Sequence, residues 1–268
     1  MDRYPLLLII LLTLMACERE LDIDYHTVEP LYVAEMELTD HHTTARITTT
    51  RPVMGTAASD YLVNDAIITI RSTQDSWADT LKWKSQGRYE LSYFFGMEGM
   101  EYEADVIIGG KHHLSTSVMK GKPVINSFDF VWMDMMSEKI LFADLHLQDV
   151  PDQNNFYFMH LYRNDVGYRW AIMDDRSNPG GELQQLFTCT TQREMDKGTD
   201  SDVLHEGDKM RMEVRSIDQR TYDYLYSLQL MDNTGTNPLA NFSGGLLGFF
   251  SAYQQATEEL VFRLHDIR

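Results

Sequence analysis

The side chains in this sequence that could do chemistry are nine histidines, two cysteines and several clusters of carboxylates and amides. His41-His42 and His112-His113 are adjacent pairs. Neighbouring residues on a strand point to opposite faces, so neither pair can readily chelate one metal ion. A zinc site needs three or four converging ligands, and the chain has no His-Glu-x-x-His stretch and no Cys-x-x-Cys pair. These histidines are expected in loops or at strand rims. Four stretches concentrate oxygen donors: DVPDQNN (Asp149 to Asn155), DDRSNPGGE (Asp174 to Glu182), DKGTDSD (Asp196 to Asp202) and DNTGTN (Asp232 to Asn237). Calcium takes six to eight oxygens, but none of the four has EF-hand spacing, and turn chemistry accounts equally well for the same residues. No metal or cofactor site is expected. Cys189, in QLFTCTT (Gln185 to Thr191), reads as a buried, inert thiol on a strand; a catalytic thiol would need a histidine such as His205 beside it.

The aromatic residues point toward binding rather than reaction. The chain has 14 tyrosines and 4 tryptophans. Alternating aromatics in sandwich strands usually face the core, although sugar-binding surfaces also use exposed rings. Tyr222, Tyr224 and Tyr226 cannot all face one way on a helix, so at least one should meet solvent or a partner. They are the candidate interface residues. Asp79-Thr80-Leu81 resembles the Asp-Thr/Ser-apolar site at which Bacteroidetes O-glycosylate exported proteins, which makes Thr80 a candidate modification site.

Composition sets the setting for this chemistry. At 268 residues, with 43% hydrophobic and 24% charged side chains, the chain is globular and long enough for one large domain or two ordinary ones. Its 23 Lys and Arg against 41 Asp and Glu leave a formal charge of −18, which repels phosphate backbones and anionic lipid alike. Nucleic-acid binding is not expected, and membrane attachment needs a lipid or a helix. The uncharged run PLLLIILLTLMA, Pro5 to Ala16, falls short of the roughly 20 residues that a spanning helix needs and fits the about 7–15 of a signal-peptide core. The tetrapeptide LMAC, Leu14 to Cys17, resembles the bacterial lipobox, in which the cysteine is acylated and becomes the first residue of the mature chain. The alternative is an ordinary leader with an incidental cysteine. Two or more acyl chains hold a protein firmly where one holds it marginally. The acidic ERELDID that follows, Glu18 to Asp24, resembles the signal that carries Bacteroidetes lipoproteins to the outer face of the outer membrane; the alternative is a solvated spacer. Residues 1–16 are thus expected to be a signal peptide, and 17–28 an anchor and tether.

The elements that must position these groups read as strands. YVAEMEL, ARITTT, AIITIR, TLKWK, RYELSY, EYEADVII and HHLSTSV follow one another from Tyr32 to Val118 at sandwich spacing, with Leu81 and Trp83 expected on one face of TLKWK. Gly121-Lys122-Pro123 is the expected boundary, giving an N-terminal sandwich at 29–121 and a larger domain at 122–268. In the latter, KILFADLHL, NFYFMHLY, YRWAI and the run Leu183 to Thr191 continue the series. KMRMEVR, Lys209 to Arg215, is the cleanest half-buried strand, with Met210, Met212 and Val214 inward and charges outward. Asp218 can cap a helix near 219–230. The last strands are Leu246 to Tyr253 and Glu258 to Leu264. The passage NFSGG, Asn241 to Gly245, is read as a structural bend. The fold class is all-β, two sandwich-like domains with one short helix.

Several passages together resemble the Bacteroidetes lipoproteins grouped as domain of unknown function 4249. They are LHEGD (Leu204 to Asp208), SIDQRTYDYLYSLQ (Ser216 to Gln229), Asn237-Pro238, and ANFSGGLLGFFSA (Ala240 to Ala252), in which Gly248, Phe250 and Ala252 match a Gly-x-Phe-x-Ala ending. Phe242-Ser243 departs from the isoleucine or valine usual before the glycines. The resemblance implies a first domain similar to transthyretin-like or carboxypeptidase-regulatory-like sandwiches, and genes that neighbour TonB-dependent receptors. It carries no catalytic residues over. The functional expectation is a non-catalytic, surface-exposed outer-membrane lipoprotein that assists such a receptor; the alternative is a surface hydrolase or carbohydrate-binding enzyme with a site in the second domain.

Overall fold

The computed structural model describes residues 29–50, 61–135, 137–151, 153–198, 202–234 and 238–267. The fold is all-β, and alternation of side chains drives it. In β1 (Tyr32–Leu38), Ala34, Met36 and Leu38 are fully buried while Glu35 and Glu37 face outward. The first sandwich continues with β2 (Thr43–Thr49), β3 (Ile67–Ser72), β4 (Ala78–Thr80), β5 (Lys82–Ser85), β6 (Arg88–Leu91), β7 (Glu101–Ile108) and β8 (Lys111–Val118). The stretch expected as one strand, TLKWK, breaks at Leu81, which crosses between the two sheets: β4 belongs to one and β5 to the other. Leu81 is therefore core, held by its amide to the Ile68 carbonyl at 2.8 Å, whereas Trp83 is 52% exposed on the edge.

Beyond residue 123 come β9 (Val124–Met135), β10 (Glu138–Gln148), β11 (Phe156–Arg163), β12 (Val166–Asp174) and β13 (Glu182–Thr191). Then follow α1 (Gln192–Lys197), β14 (Lys209–Ile217), α2 (Gln219–Thr234), β15 (Leu247–Ala252) and β16 (Gln254–Val261). The sheets β13-β10-β9 and β12-β11-β14-β16 face each other as the second sandwich.

Further expectations are corrected. The helix near 219–230 runs on to Thr234, and a second helix, α1, precedes it. Its signal was in the sequence: Thr191 and Glu194 form a capping box, each side chain accepting from the other's backbone. The last strand starts at Gln254, not Glu258. Most consequentially, residues 122–268 do not make one unit. β15 leaves the second sandwich and pairs in parallel with β1, so the sheet order of the first is β15-β1-β2-β6-β5, and Phe242, Leu246, Phe250 and Ala252 complete the first core. β16 then returns to pair with β14.

Candidate functional site

The junction between the sandwiches is organised by one buried carboxylate. Asp218 caps α2 by accepting from the Thr221 amide at 2.8 Å, and its other oxygen accepts from the Ser117 hydroxyl and from the Val118 amide at 3.0 Å. Ser117 in turn accepts from the Ala252 amide at 2.8 Å. Three elements, β8, α2 and β15, are thus tied at one point. The NFSGG passage lies against the edge of β8: Ser243 and Leu114 exchange bonds of 2.9 and 2.8 Å, and Asn241 accepts from Ser115 at 2.6 Å and from Phe250 at 3.0 Å. Gly248 is required where it stands. Its φ is +98°, and a Cβ there would lie 2.0 Å from the Ala34 carbonyl oxygen.

Above this junction the outer faces of two sheets enclose a cleft of about 390 Å³, within the roughly 300–1,000 Å³ common for small-molecule sites. One wall is the outer face of the second sandwich, carrying Phe158, His160 and Tyr162 from β11, Trp170 from β12 and Arg215 from β14. The other is formed by Glu35 and Glu37 of β1 with Phe249 and Ser251 of β15; Leu225 and Leu228 of α2 close the end. Phe158 packs at 6.0 Å from Trp170 and 5.9 Å from His160, and His160 lies 4.0 Å from Tyr162, ring centre to ring centre. Arg215 sits 4.7 Å from the Tyr253 ring and 5.4 Å from Phe158, and Arg211 4.1 Å from Tyr162.

The charges are paired in a chain. Arg215 donates to Glu37 at 2.7 Å and to Glu213 at 3.4 Å, and Glu213 also accepts from Arg211. The expected outward charges of KMRMEVR are therefore corrected: Met210, Met212 and Val214 do face the core, but Glu213 is buried too, because α2 and the first sandwich cover the outer face of this sheet. Burial works against the Arg215 charge, but Tyr253, Glu37 and Glu213 around it outweigh that and hold it protonated. Desolvation, reinforced by Arg215, pulls His160 below its ordinary value, so it is neutral at pH 7. Among the described residues, two polar groups of the cleft find no hydrogen-bond partner: Nε of Arg215 and the hydroxyl of Ser251, a residue 1% exposed.

A family model matches residues 18–259. The chain belongs to the family described as Domain of unknown function (DUF4249). The DUF4249 passages named from the sequence now have physical roles: Gly248, Phe250 and Ala252 are the strand that returns to complete the first core, and Phe242, the departure from the usual residue, fills that core. No curated protein matches the chain. Among solved structures, a two fibronectin type-III domain segment from chicken tenascin is similar at 12% identity, covering 87% of this chain and 100% of that one, with a TM-score of 0.25. A proposed carbohydrate-binding protein from Bacteroides uniformis is similar at 10% identity, covering 87% and 98%, with a TM-score of 0.23.

The residues singled out in the sequence fall elsewhere. Cys17 lies outside the described residues. Thr80 is exposed on β4, its hydroxyl 3.2 Å from that of Thr69. Of the three tyrosines, Tyr222 and Tyr224 are buried and Tyr226 is 47% exposed. The interface expectation is corrected for the first two: Tyr222 donates to Asp174 at 2.9 Å, and Tyr224 packs on Phe249. His113 is not at a rim either. It is buried with Nδ1 3.0 Å from the Ser243 carbonyl, while His112 on the opposite face pairs with Asp105 at 2.8 Å. Cys189 is buried; desolvation raises its thiol to about 12, and its Sγ contact is the Phe187 carbonyl. The backbone of His205 is engaged with Asp208. Within the oxygen-rich stretches, Asp149 accepts from Tyr157 and Gly180, and Asp175 from Asn155, so these carboxylates serve as turn anchors. The stretches 196–202 and 232–237 lie partly outside the described residues. Among the described residues, no group of three or more His, Cys, Asp or Glu side chains is placed to hold a metal ion.

The cleft residues themselves were missed. A signal existed in NFYFMHLY: Tyr157, Met159 and Leu161 fill the core, yet the opposite face, Phe156, Phe158, His160 and Tyr162, is aromatic as well. A strand apolar on both faces must meet a second body.

Proposed function

We propose that this chain is a non-catalytic lipoprotein, held in the outer membrane by acyl chains on Cys17, that captures a ligand for a TonB-dependent receptor. The observation that carries the ligand-capture reading is the cleft between the sandwiches, with aromatic walls, a paired charge chain and two unpartnered polar groups. Buried polar groups without partners cost free energy, and a ligand that satisfies them recovers it. The anchor rests on Leu14 to Cys17, and the tether on Glu18 to Asp24. A hydrolytic reading draws less support, since Glu37 and Glu213 share one guanidinium and the Cys189 thiol is held protonated.

The test uses the full chain in its native envelope. Affinity purification from detergent-solubilised membranes should return a TonB-dependent receptor, and Cys17→Ala should release the protein into the soluble fraction and lose that partner. Repeated purification without a receptor, or a Cys17→Ala protein still in the lipid fraction, overturns the proposal.

A further inference from the structure

We propose that the cleft takes a neutral saccharide, an inference that rests on the ligand-capture reading and names the ligand class. The argument is one of complementarity. In the lining of the first cleft Glu35 and Glu37 stand against one guanidinium, that of Arg215, so this cleft is net negative, on a chain that is itself strongly acidic. His160 adds no positive charge at pH 7. An anionic ligand is disfavoured by this field. A cationic ligand would want the aromatic faces, but Tyr162, Phe158 and Tyr253 already carry the protein's own guanidinium groups. What remains is an uncharged ligand with an apolar face and many hydroxyls.

A sugar ring has that form. Its C–H face can lie on Trp170, which is 40% exposed beside Phe158 and therefore available. Its hydroxyls can both donate and accept, which the cleft requires: Arg215 Nε offers a donor, Glu37 an acceptor, and the Ser251 hydroxyl either. More than one ring has room. A second cleft, of about 290 Å³, shares Glu35, Glu37 and Phe249 with the first and continues across β2 and β6 past Thr44, Arg46, Arg88 and Glu90. The polarity falls in order along the groove, from charged on the first sandwich to aromatic at the second.

The test is binding of the detergent-solubilised full-length protein to an array carrying neutral, sulfated and uronic-acid glycans, followed by titration with the best neutral oligosaccharide while tryptophan emission is read. Neutral glycans should bind in preference to the acidic ones. Trp170→Ala should weaken binding at least tenfold, Trp170→Phe should restore most of it, and Ser251→Ala should weaken it several-fold. Met135→Ala, exposed on β9 in the other sheet of the second sandwich, should leave it unchanged. Binding of acidic glycans alone, of no glycan, or binding indifferent to Trp170→Ala overturns the proposal. Loss of the sugar with receptor co-purification intact would sink the ligand class only; loss of both sinks the parent reading.

Discussion

The core of the second sandwich and the junction between the sandwiches are built on the two faces of the same strand, β14, and they differ in kind. On one face Met210, Met212 and Val214 belong to one buried hydrophobic cluster with Leu141, Leu145, Met159 and Leu161. On the other, Arg211, Glu213 and Arg215 lie among aromatic rings, and Arg215 Nε is left without a partner. Dispersion and the hydrophobic effect close the first face completely. The second is held by charges whose desolvation is costly unless every group is paired. A face built that way contributes less to stability and keeps a polar cleft open, which is where a ligand can act.

Substitutions can break this contrast. The largest effect is expected at neither face but where β15 joins the first sandwich. Gly248→Val puts a side chain into the Ala34 backbone at φ +98° and should cost roughly 4 kcal/mol or more. Urea denaturation would measure it; a loss under about 1 kcal/mol would show that β15 docks without needing glycine. Met212→Ala, in the closed core, should cost about 2–5 kcal/mol in the same assay. Asp218→Ala removes a helix cap and leaves Ser117 and the Val118 amide short of an acceptor, for a cost of about 2 kcal/mol. Trp170→Ala, on the open face, should change stability by less than about 1 kcal/mol while its effect on binding is large. Equal stability losses at Met212 and Trp170 would erase the distinction between the two faces.

The smallest effect separates two histidines by sign. Desolvation lowers His146, but hydrogen bonds to Glu182 and Asp144 outweigh it and raise its pKa. Its contribution is fully present below the unfolded value of about 6.5 and is lost as pH rises through the folded value. His160 is shifted the other way, by desolvation first and Arg215 second. Its effect is therefore a loss of stability that grows as pH falls below about 6.5. Denaturation midpoints between about pH 5 and 8 should show His146→Gln removing the decline on the alkaline side and His160→Gln removing the decline on the acid side. Unchanged profiles in both variants would contradict the pairing of His146 and the burial of His160.

Much of the framework was legible in the chain. β1 and β7 run over the residues that alternation predicts, Asp218 caps the helix it was expected to cap, and the passages between Leu204 and Ala252 together pointed to the family before any contact was known. The failures share a cause. TLKWK was split because Leu81 crosses between sheets, and Tyr222 and Tyr224 were buried because α2 lies against β15 and β12. Each depends on what arrives from far along the sequence.

Period-two alternation, turn glycines and capping side chains are local interactions, felt within a few residues, so the amino-acid order alone determined the strands, the helix start and the all-β class. Which strand joins which sheet is a competition among distant segments with similar patterns; Gly248 permits the close approach to Ala34 but does not name the partner strand. Only the folded chain decided that β15 crosses back to β1, and that the charged face of β14 is covered rather than wet. The candidate site exists because of those two decisions.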